Sequence, residues 1–321
     1  MQRPAQEDFD GLRIRFDTVA EAVGEVLRGK REAIRLALIC LMAEGHLLIE
    51  DVPGVGKTSL ARALAAAFGV TSGRIQFTPD LLPSDITGVQ VLERGAFTFQ
   101  PGPVFAHIVI CDEVNRASPK AQAALLEVME ERQVSVAGET RPVPRPFMVV
   151  ATQNPIDFEG TYPLPEAQLD RFLMRVSIGP PDARVESEIL AREATTLSPE
   201  ATIGTVLDRE SLRGMIETAR RVRVDGSVND YIAALLQETR SPAHREEIRL
   251  GASTRAGLAL LRAARVSAAA EGLQGVLPDQ VRALAVPVLA HRLVLTERAV
   301  WDQVTSEDVI RRILSRVPVP R

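Results

Sequence analysis

Asp51-Val52-Pro53-Gly54-Val55-Gly56-Lys57-Thr58 follows a short apolar run, His46-Leu47-Leu48-Ile49-Glu50, and precedes a helical pattern, Ser59-Leu60-Ala61-Arg62-Ala63-Leu64-Ala65-Ala66-Ala67-Phe68. Strand, glycine-rich turn, Lys-Thr and helix form the context that a phosphate-binding turn requires. Successive backbone N–H groups in such a turn point inward onto phosphate oxygens, and the helix N-terminus adds a favourable dipole. The turn residues Pro53, Gly54, Val55, Gly56, Lys57, Thr58 and Ser59 are therefore candidates for holding a nucleoside triphosphate. Lys57 would reach the β- and γ-phosphates, and the Thr58 hydroxyl would bind Mg²⁺. The first position of the usual pattern is glycine, and here it is Asp51. Aspartate tolerates a left-handed backbone, so the turn remains available to it.

The composition narrows the field. A chain of 321 residues has room for about two domains. Hydrophobic residues make up 45%, enough to bury real cores. Net charge is −4 and the isoelectric point about 5.8, so a global basic field for nucleic acid or anionic membrane is absent. Lysine occurs at three positions, Lys30, Lys57 and Lys120, against 38 basic residues in all, and one of the three stands where a phosphate turn needs it. Cys40 and Cys111 lie in apolar runs and read as buried thiols in a reducing compartment. The opening residues are polar and acidic, unlike a signal peptide, and the apolar stretch near 33–43 is too short for a bilayer and contains Arg35. A cytoplasmic protein without an integral membrane segment is expected.

Along the chain, residues 31–43 repeat apolar groups at helical spacing, with Gly45 as the expected cap. Arg74–Thr78 reads as a strand, and His107–Cys111, Phe147–Ala151 and Phe172–Val176 read as further buried strands. Ser118-Pro119 opens a helix, a serine cap with proline at the first helical position. This alternation predicts a parallel sheet with helices on both sides. Two stretches interrupt it: residues 88–102 and 133–146 read as β-hairpins turning near Gly95 and Gly138. They are surface decoration or partner contacts. After Pro180-Pro181 no further buried strand run is expected, and the composition turns helical. The predicted organisation is an α/β core over residues 1–181 and a smaller all-helical domain over residues 182–321.

The third core strand ends in Asp112-Glu113. Alone, the pair would be a solvated turn. Downstream of a phosphate-binding turn, an aspartate there can hold Mg²⁺, and the neighbouring glutamate can orient and activate an attacking water. The next strand ends in Ala151-Thr152-Gln153-Asn154-Pro155, and Asn154 is either a turn residue before proline or a hydrogen-bonding group for the lytic water or γ-phosphate.

These elements, taken in order, resemble the MoxR family of AAA+ ATPases. The matching segments are Glu50–Thr58, Cys111–Ala117, Ala151–Pro155, Leu164-Pro165-Glu166-Ala167-Gln168-Leu169-Asp170-Arg171-Phe172 and Gly251–Ala256. The resemblance implies ATP and Mg²⁺ as ligands, an AAA+ core with inserted hairpins, and a helical lid. It implies that Asn154 is the sensor 1 residue, that Arg171 is an arginine finger acting on the nucleotide of a neighbouring subunit, and that Arg255 is sensor 2. A guanidinium suits the finger role because it is permanently charged and forks onto phosphate oxygens. On the residues alone, Arg171 could instead pair with a nearby acid, and Arg255 could be a solvated helix residue. Thr254 stands where family members often carry proline, and Lys30 replaces a common glutamine in Val26-Leu27-Arg28-Gly29-Lys30, the segment matching the adenine pocket, with Gly29 its candidate contact.

The resemblance also implies a ring of copies, a hexamer by family expectation, with the hairpins touching a protein client. It suggests chaperone-like maturation or activation of a complex, often with a von Willebrand A-domain protein. Cofactor-insertion or enzyme-activating motors of the magnesium-chelatase and Rubisco-activating kind share these residues. A nucleic-acid motor is the alternative that the acidic isoelectric point argues against, and a non-hydrolysing ATP-sensing scaffold is disfavoured by the complete residue set.

Overall fold

The computed structural model describes residues 5–52, 54–93, 95–154, 162–181, 183–187 and 203–320. The chain forms two compact units. One, the sheet unit, comprises Thr18–Leu164 and Val176–Leu212; the other, the helical unit, comprises Met1–Asp17, Pro165–Arg175 and Arg213–Arg321.

The N-terminal helix α1 (Gln6–Val26) buries Phe9, Leu12, Phe16, Val19 and Val23. Their alternating spacing of three and four residues is one helical stripe. The sheet unit continues with α2 (Arg31–Met42), β1 (Leu47–Glu50), α3 (Lys57–Ala67), β2 (Ser72–Gln76), α4 (Pro83–Thr87), β3 (Gly88–Glu93), β4 (Ala96–Pro101), β5 (Ile108–Asp112), α5 (Pro119–Glu131), β6 (Gln133–Val136), β7 (Glu139–Pro142) and β8 (Met148–Gln153). After α6 (Glu166–Leu169) comes β9 (Met174–Val176). The five-stranded sheet has the order β2-β5-β8-β1-β9. β2 with β5, β5 with β8, and β8 with β1 are parallel. β5 is buried along its whole length, as its uninterrupted apolar run predicts.

Register places the functional ends together. Glu50 lies opposite Gln153, Cys111 opposite Ala151, and Gln76 opposite Asp112. The carboxyl ends of β1, β5 and β8 thus share one edge, the edge where open parallel sheets bind ligands.

Both expected hairpins are present, as separate antiparallel pairs β3–β4 and β6–β7. Gly95 and Gly138 take positive φ at their turns. The neck of the first is crowded: a Cβ on Gly102 would stand 2.2 Å from the Ile86 carbonyl oxygen, so no larger residue fits without moving backbone. The hairpins meet, with the Arg141 guanidinium 4.5 Å from the centre of the Phe99 ring. Leu92 and Phe97 face each other across the first hairpin and are 62% and 71% exposed.

The helical unit carries α7 (Arg209–Arg220), α8 (Gly226–Thr239), α9 (Thr254–Ala270), α10 (Pro278–Leu289), α11 (Glu297–Trp301) and α12 (Ser306–Arg316). α9 is alanine-rich because it is enclosed: Ala256, Ala259, Ala263 and Ala264 are buried. A Cβ on Gly257 would stand 2.6 Å from Leu236 Cδ1, so α8 and α9 approach closely at that point.

The structure corrects several sequence expectations. A two-stranded antiparallel pair, β10 (Ile248–Leu250) with β11 (Val294–Leu295), occurs where no strand was expected. β2 runs over 72–76 rather than 74–78, and β9 starts at Met174 rather than Phe172. The residue that turns left-handed after α2 is Glu44, with φ 50°, while the Gly45 N–H returns to the Cys40 carbonyl at 2.9 Å. Glu44 is held in that conformation by Arg132, whose guanidinium pairs with its carboxylate at 3.2 Å and donates to its carbonyl at 2.5 Å. Both cysteines are buried, as expected. No helix among the described residues is long and apolar enough to cross a membrane.

His46 joins two of these elements. Its Nδ1 accepts the Val149 N–H at 3.0 Å, and its Nε2 donates to the Met129 carbonyl at 3.0 Å. The first satisfies the start of β8 just before its pairing with β1, and the second satisfies a carbonyl in the last turn of α5. His46→Leu should leave both groups buried without partners and lower unfolding free energy by about 3 kcal/mol. Denaturant titration checks this; an unchanged midpoint would refute the assignment.

Candidate functional site

The turn after β1 is built for close approach. Gly54 and Gly56 adopt φ of 86° and 91°, and Gly56 caps α3 in the left-handed conformation. A Cβ on Gly54 would meet nothing within 4 Å, so the backbone there faces open space that a side chain would fill. Helix α3 begins at Lys57, so Lys57, Thr58 and Ser59 form its N-terminal turn, the positive end of the helix dipole. Val55 lies within the same turn, and Pro53 lies outside the described residues.

Lys57 is held from two sides. Its ammonium donates to the Asp51 carbonyl and, at 3.2 Å, to the Gln153 carbonyl. Burial pulls its pKa below the ordinary lysine value, against the attraction of Asp51, Asp112, Glu113 and Glu50. The ammonium thus stands beside the open glycine turn with acids and backbone carbonyls around it.

The acids divide their work. The Thr58 hydroxyl donates to Asp112 Oδ1 at 3.3 Å, and the Arg74 Nε donates to Asp112 Oδ2 at 2.8 Å. One oxygen of the carboxylate thus faces the threonine while the other is anchored. A hydroxyl and a carboxylate oxygen so placed fit Mg²⁺, which takes few protein ligands and completes its shell with water and phosphate oxygens. Among the described residues no group of three or more His, Cys, Asp or Glu is arranged to hold a metal ion.

Glu113 takes the left-handed conformation, φ 58°, at the end of β5. Its N–H donates to the Thr152 hydroxyl at 3.0 Å, which ties it to β8. Its carboxylate accepts from Arg116 at 3.0 Å and from Gln76 at 3.3 Å. Asn154, one residue beyond β8, is buried at the same sheet edge. The structure therefore brings Lys57, Thr58, Asp112, Glu113 and Asn154 to one edge. Arg74, Gln76, Arg116 and Thr152 complete the contacts there. Arg74, Gln76 and Thr152 act across strand pairings that local sequence patterns do not reveal, whereas Arg116 reaches Glu113 locally, three residues along the chain.

Asp51 has a different role from the one its backbone tolerance suggested. Its φ is not positive. Its carboxylate Oδ2 instead accepts from Ser177 Oγ at 2.9 Å, the Ile178 N–H at 2.7 Å and the Gly179 N–H at 2.6 Å. Oδ1 accepts the Val52 N–H at 2.9 Å. The aspartate thus fastens the chain after β9 to the start of the phosphate turn. Lys30 fastens the same segment from the other side, donating to the Ile178 and Pro180 carbonyls at 2.8 and 2.7 Å. The ammonium at the position matched to the adenine pocket is engaged with backbone. Gly29, beside it, has φ 74°.

Arg171 and Arg255 belong to the helical unit. Arg171 follows α6, and Arg255 is the second residue of α9, whose cap Ser253 accepts the Ala256 N–H. Asp170, beside Arg171, accepts from Arg292 Nε at 2.7 Å and from Ser253 Oγ at 3.4 Å.

The sequence profile described as "ATPase family associated with various cellular activities (AAA)" matches residues 46–174, and that of the "AAA lid domain" matches residues 240–313. The chain is 43% identical over 317 residues to YeaC of Bacillus subtilis (strain 168), covering 98% of this chain and 97% of that protein. It is 42% identical over 323 residues to the protein named Chaperone MoxR1 of Mycobacterium tuberculosis, covering 97% of this chain and 85% of that protein. A crystal structure of a protein from Cytophaga hutchinsonii superposes with a TM-score of 0.91 at 36% identity, over 98% of both chains.

The Asp51 network yields a pH signature. Burial works to raise its carboxyl, but hydrogen bonds from Gly179, Ser177, Val52 and Ile178 outweigh it and bring the pKa below the ordinary 3.8. A carboxylate depressed in the folded state stabilises above its unfolded value and loses that contribution as pH falls through the folded value. Asp51→Asn should cost about 2 kcal/mol near neutral pH, with the gap narrowing below about pH 4. Denaturant unfolding at several pH values reads this, and a gap independent of pH would contradict the network.

Proposed function

Since the chain belongs to the MoxR family of AAA+ ATPases, we propose that it binds Mg-ATP at the carboxyl edge of its sheet and hydrolyses it with help from a second copy of itself. The observation that carries this reading is the convergence of Lys57, the Thr58–Asp112 pair at 3.3 Å, Glu113 and Asn154 on one edge.

The residues act in distinct ways. Backbone N–H groups from Gly54 to Ser59 hold the phosphates, and Lys57 exchanges its carbonyl partners for phosphate oxygens. Thr58 and Asp112 would hold Mg²⁺, which would offset negative charge on the phosphates. Glu113, with its backbone fixed through Thr152, accepts a proton from the attacking water, and Asn154 orients that water. Gly29 lies by the adenine. Arg171 supplies positive charge to the nucleotide of a neighbouring subunit, and Arg255 responds to the γ-phosphate. The assembly is a ring, a hexamer in this reading.

The output we propose is chaperone-like remodelling, maturation or activation of a protein complex, with a von Willebrand A-domain protein as a candidate partner. The exposed Leu92–Phe97 pair on the first hairpin supports client contact there. The buried thiols of Cys40 and Cys111, not joined by a disulfide, support action in a reducing cytoplasm.

Two sets of variants test the site. Lys57→Ala should abolish ATP binding in equilibrium titration, whereas Glu113→Gln should bind ATP and lose roughly 100-fold or more in turnover. Unchanged ATP affinity in the first, or full turnover in the second, contradicts the assignment. Arg171→Ala should retain binding and lose about 1000-fold in turnover; wild-type turnover would exclude catalysis across an interface.

A further inference from the structure

Arg292 has 3% of its side chain exposed and donates to five acceptors. One is the Asp170 carboxylate, at 2.7 Å. The other four are backbone carbonyls: Asp170 at 3.2 Å, Phe172 at 2.7 Å, Leu173 at 3.3 Å, and Val288 one helical turn earlier. Asp170, Phe172 and Leu173 bracket Arg171. His291 adds a contact to the Phe172 carbonyl at 3.2 Å, and its buried imidazole is neutral because burial, with Arg292 and Arg175 nearby, pushes its pKa well below the ordinary value.

Burying a guanidinium is unfavourable unless its donors are satisfied. Here each donor direction meets the turn between α6 and β9 or the end of α10. A planar fork reaches several acceptors at once in fixed geometry, which a lysine ammonium cannot do. This arrangement fixes the backbone on both sides of Arg171 to the end of α10.

We infer that Arg292 and Asp170 are positioning residues for Arg171: the buried pair sets where its guanidinium stands, and so how well one subunit completes the site of its neighbour. This rests on the trans role proposed for Arg171. A group that must meet a transferring phosphoryl loses about 100-fold in rate for a displacement of about 1 Å. The helical unit therefore controls the finger directly, through a grip made within that unit.

The test uses the full-length protein. Arg292→Lys and Asp170→Asn each remove part of the grip while leaving Arg171 in the sequence; Asp170→Asn keeps the side-chain size and serves if Arg292→Lys does not fold. Each should bind Mg-ATP with wild-type affinity and turn over about 100-fold more slowly. Mixing either variant with Glu113→Gln copies should restore turnover, because those copies offer an intact Arg171 to a neighbour whose own site is intact. A purely structural defect would not be rescued by a second chain. Arg171→Ala mixed with Glu113→Gln is the control. Without rescue in the control, the trans role fails and this inference fails with it. If the control is rescued and the folded variants are not, or if they turn over normally alone, the positioning role is overturned by itself.

Discussion

The Lys57 ammonium, held between the carbonyls of Asp51 and Gln153, is the contact on which the rest of the site depends. Those two carbonyls stand at the carboxyl ends of neighbouring parallel strands, Asp51 just after β1 and Gln153 as the last residue of β8, and they reach one cation because Glu50 and Gln153 are in register. The same register carries outward: β8 pairs with β5, which delivers Asp112 and Glu113 to the same edge. The apolar strands β1, β5 and β8 are buried nearly throughout, and only their carboxyl ends turn polar. The polar edge is thus set by apolar packing. Burial weakens the charge on Lys57, and Asp51, Asp112, Glu113 and Glu50 oppose that effect.

Asp51 shows how a departure from a common pattern becomes a structural device. Glycine at that position would leave the Ile178 and Gly179 N–H groups without their carboxylate acceptor. Asp51 supplies it, and Lys30 holds the Ile178 and Pro180 carbonyls of the same stretch. Donors and acceptors of one short segment are thus satisfied by two oppositely charged residues from distant parts of the sequence. The phosphate turn begins on a residue that is itself anchored.

Much of this was legible from residue order. The strands at Leu47, Ile108 and Met148 announce themselves as apolar runs too short for helices, and Ser118-Pro119 marks the start of α5 chemically. Both hairpins follow from alternation around a glycine. The phosphate turn and the acids after β5 were readable because their chemistry demands fixed residue types at fixed spacing. What stayed hidden has a common cause, the dependence of a residue on partners far along the chain. β10 and β11 are too short to show alternation and exist through the pairing of Ile248 with Leu295. Glu44 turns left-handed because Arg132 holds it, so Gly45 was the natural but mistaken choice. Arg74 reaches Asp112 from an adjacent strand, and Arg292 grips a turn more than a hundred residues before it. The stripe of Phe9, Leu12, Phe16, Val19 and Val23 was visible in principle, but the acidic residues around its start masked it.

The central claim is that this chain splits Mg-ATP at a site completed by another copy of itself. Turnover per subunit, measured with saturating Mg-ATP across a wide range of protein concentration, tests it most directly. The account predicts a rise from near zero at high dilution to a plateau as copies associate. Turnover that stays constant per subunit at every concentration, or none at any concentration, would contradict it.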